Sequence, residues 1–117
     1  MKTFLTRATL IVLLASPAFA EVILKSQPPK FGAALRAIDE AEPTSVEFIN
    51  RTDKSLQIIH VNNDGRREAF RTLRAGQSLK VDTYVTHPWI VTNALGTITV
   101  GIFLPVKQPG KILLVSK

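Results

Sequence analysis

From Ser45 onward the chain consists of short runs rich in valine, isoleucine, threonine and phenylalanine, separated at close spacing by turn residues. Such runs are typical of β-strands, because β-branched and aromatic side chains pack well on a pleated sheet. No helix-length segment separates them. We predict strands near 45–50, 56–61, 68–73, 79–84, 87–93, 97–104 and 111–116. The sequence therefore predicts an all-β fold, a small antiparallel β-sandwich of about seven strands.

Turn residues support this division. The connector Asn62-Asn63-Asp64-Gly65 predicts a hairpin, since asparagine and glycine tolerate the positive φ of a tight type I′ turn. Glycine-containing turns are also predicted at 75–77 and 108–110. Before the strands, the segment 33–42 has helix-favouring composition and predicts a helical turn or two, ended by Pro43.

The N-terminal segment has the pattern of a secretory signal peptide. Lys2 and Arg7 precede a short apolar run at 8–15, and Ala18-Phe19-Ala20 is a small-x-small cleavage site. The apolar run is well short of the roughly 20 residues that a membrane-spanning helix needs. We therefore predict a signal peptide at 1–20, cleaved after Ala20, and a periplasmic or secreted mature protein. An extended N-terminal arm at 21–32 would precede a sandwich domain at 33–117.

Composition restricts the function further. The mature chain has 13 Lys and Arg against 9 Asp and Glu, a net charge of +4, and it has no cysteine for a disulfide or a thiolate metal site. Its length suits one domain. His60 and His87 are the only histidines, and no carboxylates group around them in the sequence, so no metal site or other cofactor is predicted.

The stretch from Thr83 to Trp89 combines a hydroxyl, an imidazole and the single indole of the chain. If the backbone is extended from Thr86 onward, His87 and Trp89 project to the same side, since side chains alternate along a strand. A hydrogen-bonding nitrogen beside a flat apolar wall suits a pocket for a small, partly polar ring. An ordinary strand with one satisfied histidine would have the same sequence, and both interpretations stay open at this point.

The chain resembles the β-domain of the von Hippel–Lindau tumour suppressor family. The similarity runs from Leu35 to Trp89 without a gap and continues loosely through Gly96 to Pro105. The shared marks occur in order: Glu42-Pro43, Phe48-x-Asn50-Arg51-Thr52, Asp64-Gly65, Thr72-Leu73-x-x-Gly76 and Tyr84-x-x-His87-x-Trp89. The resemblance implies a sandwich that binds an extended peptide carrying 4-hydroxyproline.

The resemblance also implies roles for single residues. His87 matches the histidine that hydrogen-bonds the proline hydroxyl, and Thr83 stands where a serine of the family does the same. Trp89 matches an aromatic wall of the pocket, and Tyr84 a tyrosine that flanks the peptide. Phe70 stands where the family has a tyrosine whose hydroxyl bonds the peptide, so it would line the site without that bond.

Other positions depart from the family pattern. His60 stands where the family has a second tryptophan of the pocket wall, and Leu79 and Ala41 stand where it has arginines near the peptide. The helical domain through which the family recruits elongin C has no counterpart in this sequence. We therefore expect a protein or peptide ligand and no ubiquitin-ligase partner.

A basic cluster around the second hairpin permits a different function. It consists of Arg66, Arg67, Arg71 and Arg74. These arginines form either a solvated face that discourages edge-to-edge aggregation or a docking surface for an acidic envelope partner. Nucleic acid is not expected, because an exported protein rarely meets it.

The sequence therefore predicts a non-enzymatic binding module with a His/Thr/Trp pocket, and its alternative is an accessory protein that docks through the arginines. A hydrolase ranks behind both, since no nucleophile motif surrounds any serine.

Overall fold

The structure, a computed structural model, describes residues 21–28 and 42–116. Eight strands build two four-stranded sheets, the first in the order β1-β8-β2-β5 and the second in the order β4-β3-β6-β7. The strands are β1 (Val22–Ile23), β2 (Pro43–Asn50), β3 (Leu56–Val61), β4 (Arg67–Leu73), β5 (Ser78–Tyr84), β6 (Trp89–Asn93), β7 (Thr99–Phe103) and β8 (Gly110–Leu114). The predicted all-β sandwich is confirmed, with β1 as a strand that the sequence did not predict.

Some sequence predictions fall on other parts of the chain. The proposed signal peptide lies outside the described residues, and so does nearly all of the predicted helical segment at 33–42. None of the residues described in the structure forms a helix long and apolar enough to cross a membrane.

The first sheet is not wholly antiparallel. Strand β8 lies between β1 and β2 and is parallel to both, with Val22 and Val46 on either side of Gly110. The antiparallel prediction holds for the pairs β2–β5, β3–β4, β3–β6 and β6–β7. It does not hold for β8, whose two partners both lie far from it in the chain. Strands far apart in the chain have long connections between them, and such connections allow parallel pairing.

The core lies between the two sheets. In β2, β5 and β8 alternate residues are buried, as the period of a strand requires. The buried core residues are Val46, Phe48, Leu56, Ile58, Leu73, Val81, Trp89, Val91, Phe103, Ile112 and Leu114. Strand β6 is buried on both faces, because Ile90 joins Val61 and Ile102 in a second apolar cluster. Trp89 is therefore the first residue of a strand that packs against apolar side chains on both faces.

The N-terminal arm connects the two sheets along one side of the sandwich. In the first sheet, the amide of Leu24 donates to the carbonyl of Lys111 over 2.8 Å. In the second sheet, the amide of Gln27 donates to the carbonyl of Ile102 over 2.7 Å. Gly110 lets the side chain of Leu24 lie close to β8, because a Cβ at this position would stand 2.8 Å from Cδ1 of Leu24. The arm is thus an integral part of the sandwich edge.

The Phe48-x-Asn50-Arg51-Thr52 mark has a structural explanation in Asn50, which is 0% exposed. Its Nδ2 donates to the carbonyls of Lys54 and Leu73 at 2.8 and 3.0 Å. Its Oδ1 accepts from the amide and the hydroxyl of Thr52 at 2.9 and 2.7 Å. One buried amide therefore ends β2, shapes the turn that follows and holds the end of β4.

The hairpin between β3 and β4 forms where predicted, but its turn is not of type I′. Gly65 has a φ of 81°, while Thr86 is the only described non-glycine residue with a positive φ. A type I′ turn needs positive φ at both central residues. The side chain of Asn62 organises the loop instead, since its Oδ1 accepts from the amides of Asp64 and Arg66 at 2.9 Å each.

We expect Asn50→Ala to lower the free energy of unfolding by about 1–3 kcal/mol, because it removes the donor that the buried side chain supplies to the carbonyl of Leu73. Urea denaturation followed by Trp89 fluorescence would measure the loss. Gln57→Ala is the control, since Gln57 is half-buried on β3 and makes no side-chain hydrogen bond to any described residue. A loss for Asn50→Ala no larger than that of the control would contradict the assigned role.

Candidate functional site

The chain reverses direction between Thr83 and Trp89, passing from the first sheet to the second. Strand β5 ends at Tyr84, and the amide of His87 donates to the carbonyl of Tyr84 over 3.1 Å. Thr86 has a φ of 67°. Pro88 has no amide proton to give to a ladder. The predicted extended run from Thr86 is therefore wrong, and β6 begins at Trp89 instead of His87.

A cavity of about 290 Å³ opens at this reversal. It is lined by His60, Phe70, Asp82, Thr83, Tyr84, His87 and Trp89. All five residues that the sequence predicted as ligand-binding are thus brought to one cavity. The turn, and not strand alternation, brings His87 and Trp89 together.

Trp89 forms the floor of the cavity and is only 3% exposed. Its indole N–H donates to Oγ of Thr83 over 3.0 Å, within the protein interior. The ring also meets Phe70 edge-on at 5.2 Å between centroids, and His60 at 4.8 Å. Because Thr83 belongs to the first sheet and Trp89 to the second, the hydrogen bond joins the two sheets beneath the cavity.

The role of Thr83 differs in part from the predicted one. Its hydroxyl oxygen accepts the indole proton, and no described residue accepts the hydroxyl's own proton. A hydroxyl has one donor and two acceptor sites. Thr83 can therefore still donate to a ligand oxygen, from a position that Trp89 fixes.

Tyr84 and His87 form one rim of the cavity. Their rings lie 5.0 Å apart and are tilted by 45°. Tyr84 is 45% exposed and His87 is half-buried. Two polar ring side chains thus stand at the opening, where they can reach a ligand while remaining in contact with water.

His60 stands on β3 between two cross-strand neighbours, Glu68 on β4 and Trp89 on β6. Its Nδ1 lies 3.8 Å from Oε1 of Glu68, and its ring lies 5.9 Å from that of His87. Burial, and next the nearby imidazole of His87, hold the pKa of His60 below the usual 6.5, against the opposing effect of Glu68. His60 is therefore neutral in the folded protein at neutral pH.

Phe70 reaches the cavity because β4 contains a bulge. Ile58 pairs with Arg71 and Ile59 pairs with Ala69, so Phe70 has no partner on β3. An unpaired residue bends the strand and changes the direction of its side chain. Phe70 remains 45% exposed, and the guanidinium carbon of Arg71 lies 5.7 Å from its ring centre.

The arginine cluster forms a strip along one strand. Arg66, Arg67, Arg71 and Arg74 precede, begin, lie within and follow β4, and all four are exposed. Strand β4 is an edge strand of the second sheet, and no described strand pairs with its outer side. The predicted docking residues and the predicted pocket thus share one edge of the molecule.

Two cavity residues were absent from the predicted ligand-binding set, His60 and Asp82. The similarity marked His60 only as a departure from the family. Alternation along β5 puts Asp82 and Tyr84 on the face opposite Thr83. All three nevertheless line the cavity, because β5 is the edge strand of the first sheet and the cavity extends around that edge. No group of three or more metal-binding side chains occurs among residues 21–28 and 42–116.

The lowered pKa of His60 predicts a pH effect on stability. Below about pH 6.5 the unfolded chain takes up a proton at this residue before the folded protein does, so the free energy of unfolding should fall as the solution is acidified. We expect the urea midpoint of the wild type to drop more steeply between about pH 7 and pH 5 than that of His60→Gln. Parallel profiles for the two proteins would contradict this expectation.

The geometry agrees with a comparison against known protein families. Residues 35–100, more than half of the chain, match the family model of the VHL beta domain. The matched region includes strands β2 to β6 and every residue that lines the cavity. The protein belongs to the VHL beta domain family.

Proposed function

We propose that the protein is a non-enzymatic binding module that holds a hydroxylated ring of an extended peptide in the cavity around Trp89. VHL beta domains are substrate-recognition modules that bind protein or peptide substrates. The observation that carries the proposal is the set of polar groups above one aromatic floor. Thr83 has a hydroxyl proton to donate, and the imidazole of His87 stands at the rim of the same cavity.

A ring hydroxyl complements this set, because it accepts one hydrogen bond and donates another. An unmodified proline ring would exclude water from these groups and offer them no hydrogen bond in its place. Each buried polar group left unpaired costs about 1–3 kcal/mol, and a site built around such groups rejects the ligand that lacks the hydroxyl. The apolar side of the ring would rest on Trp89 and beside Phe70, as the lining allows.

The open edge of β4 favours an extended ligand. A peptide that adds to a sheet edge forms main-chain hydrogen bonds along the strand and places alternate side chains in pockets. Phe70 connects that edge to the cavity, since its ring contacts Trp89. Arg71 beside Phe70 would attract an acidic residue next to the hydroxylated ring. With the predicted signal peptide at 1–20, the proposed place of action is the periplasm or the medium.

Fluorescence of Trp89, the single tryptophan of the chain, tests the proposal directly. We expect a saturable change with a short peptide centred on 4-hydroxyproline, and affinity at least about tenfold lower for the proline peptide. His87→Ala should abolish most of this preference. Thr99→Ala, exposed on β7 outside the cavity, is the control and should bind as the wild type does. If neither peptide gives a saturable change, the hydroxylated-peptide function is wrong.

The exposed arginine strip supports an alternative, in which the protein docks to an acidic envelope partner and the cavity residues are only framework. Replacing Arg66, Arg67 and Arg71 together by glutamate would then abolish partner capture from envelope extracts, and His87→Ala would not. The opposite result, with capture lost only in His87→Ala, would favour the cavity.

A further inference from the structure

His60 adds a second hydrogen-bonding side chain to the cavity, from the sheet that does not contain Thr83. His60 comes from β3 of the second sheet, and Thr83 comes from β5 of the first. Both line the cavity, and Trp89 contacts each of them, through its indole N–H for Thr83 and through its ring for His60. Each sheet therefore contributes one hydrogen-bonding side chain that contacts Trp89 and lines the cavity.

The surroundings of His60 determine what it offers to a ligand. The carboxylate of Glu68 is nearest to Nδ1 and is itself held by a 3.2 Å hydrogen bond from the side chain of Asn62. The 3.8 Å separation is too long for a direct hydrogen bond, but the negative charge of Glu68 on this side of the ring favours the tautomer with the proton on Nδ1. No described residue hydrogen-bonds Nε2 of His60, which leaves an acceptor nitrogen for the ligand.

A ring that carries one hydroxyl can form a hydrogen bond with either Thr83 or His60, but not with both. If the hydroxyl meets Thr83, a C–H edge of the ring faces Nε2 of His60 and displaces the water that would otherwise donate to it. An acceptor that loses its water without a replacement opposes binding. A second hydroxyl on the neighbouring ring carbon would supply the missing donor.

We propose that the cavity selects a five- or six-membered ring with hydroxyl groups on two adjacent carbons, and that His60 is the residue that recognises the second hydroxyl. The proposal rests on the proposed function, because it refines the ligand of the same cavity. The first hydroxyl accepts from Thr83, and the second donates to Nε2 of His60. A vicinal diol of this kind occurs in a doubly hydroxylated proline and in a sugar ring.

A ligand series that differs by one hydroxyl at each step tests this proposal. The probes are N-acetylproline amide, its 4-hydroxy derivative and its 3,4-dihydroxy derivative, the last in each diastereomer. Binding to the mature protein is measured by Trp89 fluorescence and by isothermal titration. We expect the better dihydroxy isomer to bind about tenfold more tightly than the monohydroxy compound.

Variants assign that gain to His60. His60→Phe keeps a flat ring but has no acceptor, and it should remove the gain from the second hydroxyl while leaving the gain from the first. His60→Gln has an amide oxygen that can accept, and it should restore part of the gain. Thr83→Val should remove the gain from the first hydroxyl, with a urea midpoint measured for each variant to confirm folding.

The outcomes separate the two proposals. If the monohydroxy compound binds and the second hydroxyl adds nothing, or adds as much in His60→Phe as in the wild type, the diol proposal is overturned and the proposed function stands. If no proline derivative binds, the proposed function fails. Methyl β-ribofuranoside, a diol ring without the peptide amides, distinguishes the sources. Saturable binding that His60→Phe abolishes would assign the diol to a sugar, and binding of the proline derivatives alone would assign it to a peptide.

Discussion

The hydrogen bond from the indole of Trp89 to the hydroxyl of Thr83 is the contact on which the rest of the site depends. A buried indole N–H needs an acceptor, because leaving it unpaired in the interior costs about 1–3 kcal/mol. The acceptor comes from the other sheet, so the bond fixes the spacing of the two sheets at the point where the cavity opens. His60 and Phe70 then pack against the ring that this bond orients.

Trp89 belongs both to the buried core of the sandwich and to the lining of the cavity. The indole is buried in the core next to Phe48, and it also forms the floor of the cavity. A rigid floor suits recognition, since side chains that are already ordered lose little entropy when a ligand binds. Variation would then be tolerated at the rim and the walls, where Phe70 and His60 depart from the family pattern, more readily than at the floor.

Strand positions were predictable because β-branched runs and turn residues alternate clearly, and β3 was predicted residue for residue at 56–61. Three other features of the structure could not be predicted from the sequence. The pairing of β8 with β2 joins residues 64 positions apart, such as Val46 and Gly110, and no local pattern reports such a contact. The bulge that turns Phe70 toward Trp89 depends on a register between strands. The late start of β6 depends on Thr86, whose left-handed conformation a β-branched residue seldom adopts.

The position of β8 has a consequence for how the protein acquires its structure. The last strand of the chain is an interior strand of the first sheet, with β1 on one side and β2 on the other. Strand β1 has no partner, and β2 can pair only with β5, until β8 has been synthesised. Contacts at such long separation slow folding, because a large loop must close first. The first sheet can therefore be completed only after β8 has been made, when β8 pairs with β1 on one side and with β2 on the other.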